Sequence, residues 1–169
     1  MSAPGTLLLV AGSRSLGRDA KAFRWSRDHL KGLLLAYPGA VVLTGGAEGP
    51  DVWAEDLALL FGHRVVVYRP DGSRRESFTH DADKLSRWGT PPASGQGAPL
   101  IRNAAMVDRA RRAHGLGWRV VVLGLVDEGS KSRGTDHCLG LAKGAGLEVF
   151  RFAWGTAVAK VEETKGEAA

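Results

Sequence analysis

The sequence predicts an α/β domain built on one five-stranded parallel sheet, with helices on both faces. Five short, mostly apolar runs recur along the chain without the alternation that a half-exposed strand shows. Segments with helical spacing of apolar residues separate these runs. Strands that alternate with helices pair in parallel through right-handed crossovers, so both faces of the sheet become covered. The runs are Thr6–Ala11, Ala40–Leu43, His63–Tyr68, Arg119–Val126 and Leu147–Trp154.

Composition limits the classes of protein that this chain can represent. A chain of 169 residues with 44% hydrophobic residues is long and apolar enough for one domain with a real core. The single cysteine, Cys138, excludes an internal disulfide, and the absence of a Cys and His cluster predicts no metal site. No cofactor is indicated. The scattered net charge of +5 suits phosphate-bearing ligands without requiring nucleic acid.

The first residues carry no targeting signal. The stretch 1–5 lacks a basic n-region, and the apolar run 7–10 is too short for a signal peptide or a membrane span. We therefore expect a cytoplasmic protein without a membrane partner.

The turn after the first strand, Gly12–Asp19, resembles a Walker A loop but cannot act as one. Arg18 and Asp19 stand where that motif needs Lys and then Ser or Thr, so a P-loop NTPase is excluded. A G-x-G-x-x-G fingerprint is also absent, which argues against a dinucleotide dehydrogenase. Gly12, Ser13 and Arg14 could still hold a phosphate, or they could be an N-terminal cap followed by a solvated arginine. A helix is predicted from about Asp19.

The turn after the second strand is rich in glycine and is followed by a helix. Gly45, Gly46 and Gly49 permit positive φ angles or close backbone approach, and Pro50 suits a first helical position. The free N–H groups of such a helix start favour an anion, although the glycines could simply make a tight connection. Asp51 could hold ribose hydroxyls or act as a structural cap.

The segment 69–97 combines prolines, glycines and serines with charged residues, and it is too long for an ordinary connection. We interpret it as a functional flap or a mobile loop. A helix is predicted from about Pro99, with Arg102 in its first turn. The interaction of a cation there with the helix dipole is unfavourable by about 0.3 to 1 kcal/mol. An anionic ligand would remove this cost. Asn103 could bind the same ligand, whereas the alternative for Arg102 is a surface ion pair.

The stretch Gly129–Thr135 follows the fourth strand and predicts a second anion-binding turn. Its small residues let backbone N–H groups converge, and its hydroxyls and cations add donors. Ser132, Gly134 and Thr135 are the candidate ligand contacts there, and a helix follows through Lys143. The alternative is a flexible turn.

The three turns after strands one, two and four meet at the carboxyl edge of the predicted sheet. In Rossmann-like sheets, ligands bind at this edge beside the switch in strand order. We assign residues 1–154 to this domain and residues 155–169, which are charged and rich in alanine, to a flexible C-terminal tail.

These turns together resemble a known family. The chain is similar, over about Leu7 to Phe150, to the YspA-like branch of the SLOG superfamily, the group that includes Smf/DprA and the Lonely-guy proteins. The resemblance implies a modified Rossmann fold, a nucleotide or nucleotide-derived ligand, a frequent role as a sensor, and a homodimer. The segments that carry it are Gly12-Ser13-Arg14, Gly45-Gly46-Ala47-Glu48-Gly49-Pro50-Asp51, Pro99-Leu100-Ile101-Arg102-Asn103-Ala104-Ala105-Met106 and Arg133-Gly134-Thr135.

The resemblance also raises the question of catalysis. Lonely-guy relatives hydrolyse the N-glycosidic bond of nucleoside monophosphates with an arginine and a glutamate. Arg102 matches that arginine, but Cys138 stands at the glutamate position, and a buried neutral thiol cannot stabilise an oxocarbenium cation. Asp136 or His137 could replace the glutamate, although their spacing is wrong.

Three functions remain open in order of preference. The first is binding or sensing of a nucleotide-derived ligand, and the second is a phosphoribohydrolase that uses Arg102. The third, DprA-like binding of single-stranded DNA, ranks last because the sequence shows no interleaved aromatic and basic platform, so a nucleic-acid partner is not expected.

Overall fold

The computed structural model describes residues 4–69, 74–77, 98–155 and 157–160. A 3₁₀ turn at Arg14–Arg18 follows the first strand. The strands are β1 (Thr6–Gly12), β2 (Val41–Thr44), β3 (Arg64–Tyr68), β4 (Arg74–Ser77), β5 (Arg119–Asp127) and β6 (Glu148–Trp154), and the main helices are α1 (Ala20–Ala36), α2 (Pro50–Leu60), α3 (Ala98–Gly115) and α4 (Arg133–Gly144).

The predicted α/β fold with five parallel strands is confirmed. The sheet has the order β4-β3-β2-β1-β5-β6, and all neighbours except the β3–β4 pair are parallel. Alternate residues of β1, β2, β3 and β5 enter opposite layers of the core. In β1, Leu8 and Val10 pack in the cluster that α1 and α2 cover, whereas Leu7 and Leu9 pack in the cluster that α3 and α4 cover. The inner strands β1, β2, β3 and β5 therefore lack polar alternation because both faces are buried, whereas the apolar residues Phe150 and Phe152 of the edge strand β6 are exposed.

One strand was not predicted from the sequence. This strand, β4, lies within the segment 69–97, which we interpreted as a flap or loop. It pairs antiparallel with β3, and its register places Arg74 opposite Tyr68 and Ser77 opposite Val65. The sequence of Arg74–Ser77 contains no apolar run. An edge strand is held by backbone hydrogen bonds along one side, and these do not require apolar side chains. The interpretation of the rest of 69–97 as a flap falls on residues 70–73 and 78–97, which lie outside the described residues.

The helix starts follow the predicted chemistry, with one correction. Asp19 caps α1, because its Oδ1 accepts hydrogen bonds from the N–H groups of Lys21 at 2.7 Å and Ala22 at 3.2 Å. Gly49, with a φ of +91°, precedes α2. Helix α3 begins at Ala98, one residue before the predicted start, so Arg102 is its fifth residue. Arg102 thus lies just beyond the first turn, where the helix dipole acts less strongly.

The order of the strands creates a crevice just outside the carboxyl ends of β1 and β5. Successive strands run outward from β1 through β2 to β3 on one side, and from β5 to β6 on the other. The ends of the central pair stay together, since Gly12 aligns with Leu125 and the Ser13 N–H donates to the Leu125 carbonyl at 2.9 Å. This reversal of strand order is where α/β sheets bind ligands. No helix within the described residues has the length and apolar character needed to cross a membrane.

Candidate functional site

A cavity of about 430 Å³ opens at the carboxyl ends of β1 and β5. Its walls come from the turns after β1, β2 and β5 and from the beginning of α3. The predicted contact residues that line it are Gly12, Ser13, Arg14, Asp51, Arg102, Asn103, Ser132, Gly134 and Thr135. Segments that lie far apart in the sequence therefore meet at the edge that the strand pattern indicated.

The inner part of the cavity contains a buried cation and a buried carboxylate. Arg102 is 8% exposed, and its Nη1 donates to the Gly45 carbonyl at 3.3 Å. Its Nε is buried and has no hydrogen-bond partner among the described residues. Asp51 is 4% exposed, and its Oδ2 accepts from the N–H groups of Gly45 at 3.1 Å and Ala47 at 3.4 Å. These contacts make Asp51 a structural support of the turn, while its contact with a ribose stays a prediction.

The three glycines of this turn are not among the residues that line the cavity. A Cβ on Gly45 would lie 2.8 Å from Arg102 Nε and 2.9 Å from Asp51 Oδ2, so no side chain fits between those two groups. Gly46 and Gly49 have φ angles of +66° and +91°. All three shape the turn that positions Asp51 and Arg102, and their direct contact with a ligand stays a prediction.

Burial changes the ionisation of two groups beside Arg102. Burial raises the pKa of Asp51 to about 6, although the positive charge of Arg102 and the backbone N–H donors of the turn oppose this rise. Burial, with the negative charge of Asp51 as a further cause, raises the pKa of Cys138 to about 12. Cys138 is fully buried, as the sequence suggested, and its thiol is neutral at physiological pH.

A network of hydroxyl groups joins the turn after β1 to the turn after β5. The Oγ atoms of Ser13 and Ser132 are hydrogen-bonded to each other, and Ser13 Oγ also accepts from the Asp127 N–H at 3.1 Å. The Ser15 hydroxyl donates to Asp127 Oδ2 at 2.6 Å and lies 2.8 Å from Ser130 Oγ. Because the Ser15 proton is committed to the carboxylate, Ser130 must donate to Ser15.

The Ser13 and Ser132 pair has a proton to spare. Two hydroxyls carry two protons, and their mutual hydrogen bond uses one of them. Within the described residues, the other O–H has no acceptor. Since both serines line the cavity, that O–H is available to a ligand.

The N-terminus of α4 forms the wall beside this pair. Its N-cap, Ser132, makes no capping hydrogen bond with its side chain, which is instead directed to Ser13. The N–H groups of the first helical residues, 133–135, have no acceptor within the helix, and these residues line the cavity. The Asn103 amide donates to the Gly134 carbonyl at 3.0 Å and so ties α3 to this helix start. This wall has the donors that bind anions at helix N-termini.

Four exposed cations surround the mouth of the cavity: Arg14, Arg18, Lys131 and Arg133. We call these four residues the cationic rim. No carboxylate of the described residues forms an ion pair with any of them. Arg18 and Ser15 were not among the predicted contacts; the signal was their position in the Gly12–Asp19 turn, which follows a strand whose end faces the ligand edge.

The proposed replacements for a catalytic glutamate lie elsewhere. Asp136 is exposed and its Oδ1 accepts from Arg151 Nε at 2.9 Å, while His137 Nδ1 lies 3.4 Å from the Asn103 amide nitrogen. Neither residue lines the cavity, where Asp51 is the one carboxylate of the described residues. Within that described part of the chain, no three His, Cys, Asp or Glu side chains are grouped to hold a metal ion.

Comparison with known proteins yields distant structural likeness alone. No protein-family model and no curated protein matches the chain. DNA processing protein A from Streptococcus pneumoniae is similar with a TM-score of 0.41 and 19% identity, over 86% of this chain and 58% of that protein. The molybdenum cofactor carrier protein from Chlamydomonas reinhardtii is similar with a TM-score of 0.36 and 18% identity, over 94% of this chain and 97% of that protein. These likenesses are too distant to indicate a ligand or an activity for this chain.

Proposed function

We propose that this protein binds a nucleotide or a nucleotide-derived small molecule in the cavity between β1 and β5, with a phosphate group on Arg102. The observation that carries this proposal is the buried guanidinium, whose Nε has no partner among the described residues. A buried charged donor without an acceptor is costly, and an anionic oxygen in the cavity would remove that cost.

The neighbouring donors suit a phosphate in particular. A phosphate presents several oxygens, and the cavity that Arg102 lines also offers the N–H groups of the α4 start and the spare O–H of the Ser13 and Ser132 pair. A volume of about 430 Å³ also falls in the range of small-ligand sites. The nucleotide portion is supported by the resemblance of these same segments to the SLOG superfamily.

We propose binding without turnover. Hydrolysis of an N-glycosidic bond needs a carboxylate beside the developing cation, whereas Cys138 offers a neutral, fully buried thiol. One observation keeps hydrolysis as a second candidate, namely that Asp51 lines the same cavity as Arg102. The Asp51 Oδ2 is held by two backbone N–H groups, however, which favours a structural role.

A thermal-shift screen would test this proposal. The probes are nucleoside 5′-monophosphates, cyclic nucleotides, dinucleotides and ADP-ribose, with products followed by chromatography. A ligand at a hundred times its Kd stabilises the fold by about 2.7 kcal/mol. We expect stabilisation of the wild type and of Arg111→Gln, a control on the same helix with an exposed side chain. We expect its loss in Arg102→Gln and its weakening in Arg102→Lys, which keeps the charge but not the planar fork.

Each other outcome of this screen has a defined meaning. Release of a free base that depends on Arg102 would establish the hydrolase. Failure of every nucleotide to stabilise the protein would contradict nucleotide binding. Tight binding of single-stranded DNA, with a steep loss of affinity in salt, would favour the DNA-binding alternative. The homodimer that the resemblance implies stays a prediction that analytical ultracentrifugation would test.

A further inference from the structure

The cationic rim carries more positive charge than one phosphate on Arg102 would neutralise. Two of its cations, Arg14 and Arg18, come from the turn after β1, and Lys131 and Arg133 come from the turn after β5. Four cations that form no ion pair with a described carboxylate therefore line one opening. Such a concentration of one sign of charge raises the local concentration of anions.

The rim and Arg102 lie at different depths of the same cavity. Arg102 is 8% exposed and has Asp51 beside it, whereas all four rim residues are exposed. A single phosphate group carries a charge of about −1.5 to −2 at neutral pH. Seated on the buried Arg102, it would leave the exposed cations without a counter-charge.

Hydroxyl groups span the interval between these two depths. Ser13 is buried, Ser132 and Ser15 are partly exposed, and Ser130 is exposed, so the series extends from the interior toward the mouth. All four line the cavity. The Ser15 and Ser130 protons are used within this network, by the Asp127 carboxylate and by Ser15, so the spare O–H of the Ser13 and Ser132 pair is the free hydroxyl donor of the series. A buried cation, this donor and the cationic rim lie at successive depths, which fits linked phosphates better than an isolated phosphate.

Building on the proposed binding of phosphate at Arg102, we propose that the cavity takes ligands with two or more linked phosphate groups. The inner phosphate would contact Arg102, the start of α4 and the spare O–H of the Ser13 and Ser132 pair, and the next would contact the cationic rim. The ligand class is therefore a nucleotide-derived pyrophosphate rather than a nucleoside monophosphate.

Inorganic anions test this inference without knowledge of the base. Titrations of ¹⁵N-labelled protein with orthophosphate, pyrophosphate and citrate would be followed by amide NMR shifts at matched ionic strength. We expect pyrophosphate to bind at least tenfold more tightly than either other anion. Orthophosphate should shift the amides of Gly134 and Thr135, and pyrophosphate should also shift those of Arg14 and Lys131.

Two triple variants separate the rim from the net charge. Arg14→Gln/Lys131→Gln/Arg133→Gln should lower the affinity for pyrophosphate to that for orthophosphate, while orthophosphate binding falls less than threefold. The control, which removes three exposed cations outside the cavity and the same charge, should keep the tenfold preference. Its substitutions are Arg24→Gln, Lys31→Gln and Lys143→Gln.

The results distinguish this inference from the proposed function. Equal affinity for pyrophosphate and orthophosphate, equal affinity for citrate and pyrophosphate, or identical behaviour of the two triple variants would overturn the inference alone. Orthophosphate binding that persists unchanged in Arg102→Gln would instead overturn the inner phosphate site, and with it both proposals.

Discussion

Replacing Gly45 by alanine should damage both the fold and the anion site. The new Cβ would lie 2.8 Å from Arg102 Nε, 3.0 Å from Arg102 Cζ and 2.9 Å from Asp51 Oδ2, so these groups must move. Arg102 is buried, and its displacement would remove the hydrogen bond to the Gly45 carbonyl as well as the charge that faces the cavity. Gly45 has no positive φ angle, so the effect would come from space alone.

The expected magnitude follows from the cost of overpacking a core. Forcing a methyl group into such a site lowers the free energy of unfolding by about 1 to 3 kcal/mol. In a chain of this length, that loss corresponds to a decrease in Tm of roughly 2 to 12 °C. Anion affinity should fall at least tenfold, because the guanidinium no longer points into the cavity.

Urea unfolding and an orthophosphate titration would measure the two effects. Gly32→Ala in α1 is the matched control, because a Cβ there would meet nothing within 4 Å. Since alanine favours a helix interior, the control should gain about 0.5 to 1 kcal/mol and bind phosphate normally. If Gly45→Ala unfolds at the same urea concentration as the wild type and binds phosphate equally well, the description of this site is wrong.

The pKa of Asp51 is raised from 3.8 to about 6, so its ionisation opposes folding: stability should fall by about 3 kcal/mol in total as pH rises from below 3 to above 7, with about 2 kcal/mol of this loss between pH 4 and 6. Asp51→Asn should lose this component in urea titrations, and an unchanged pH profile would contradict it. Native Cys138, with a pKa of about 12, should resist iodoacetamide at pH 8 and react on unfolding; rapid native labelling would disprove its burial. Asp19→Ala should cost about 1 kcal/mol in the free energy of unfolding, and an unchanged urea midpoint would exclude its capping role.

The sequence was most informative where a local pattern determines local structure. The apolar run Arg119–Val126 predicted β5 to within one residue. The sequence Gly49-Pro50 predicted the start of α2. The strand Arg74–Ser77 could not be predicted in this way, because its backbone pairing with β3 imposes no apolar pattern on its side chains.

The same limit applies to the candidate site. Glycine residues in the turn after β2 indicated either positive φ or close approach, and only the structure separates Gly46, with its positive φ, from Gly45, which makes room for Arg102. The bond between Ser13 and Ser132 joins residues 119 positions apart, and no local pattern reports such a partner. Turn composition thus predicted which segments form the site, but it did not predict which side chains of different segments bond to each other.

The central place of β1 sets the order in which the cavity can be assembled during synthesis. The ribosome releases β1 before the other strands of the sheet, but its neighbour β5 begins at Arg119, so one side of β1 stays without its native partner until β5 has been made. The hydroxyl bonds that join the two turns span 112 to 119 residues. Such non-local pairing slows folding and leaves a strand edge open to association with other chains. A ligand of this cavity would therefore stabilise the finished domain and could not guide its early folding.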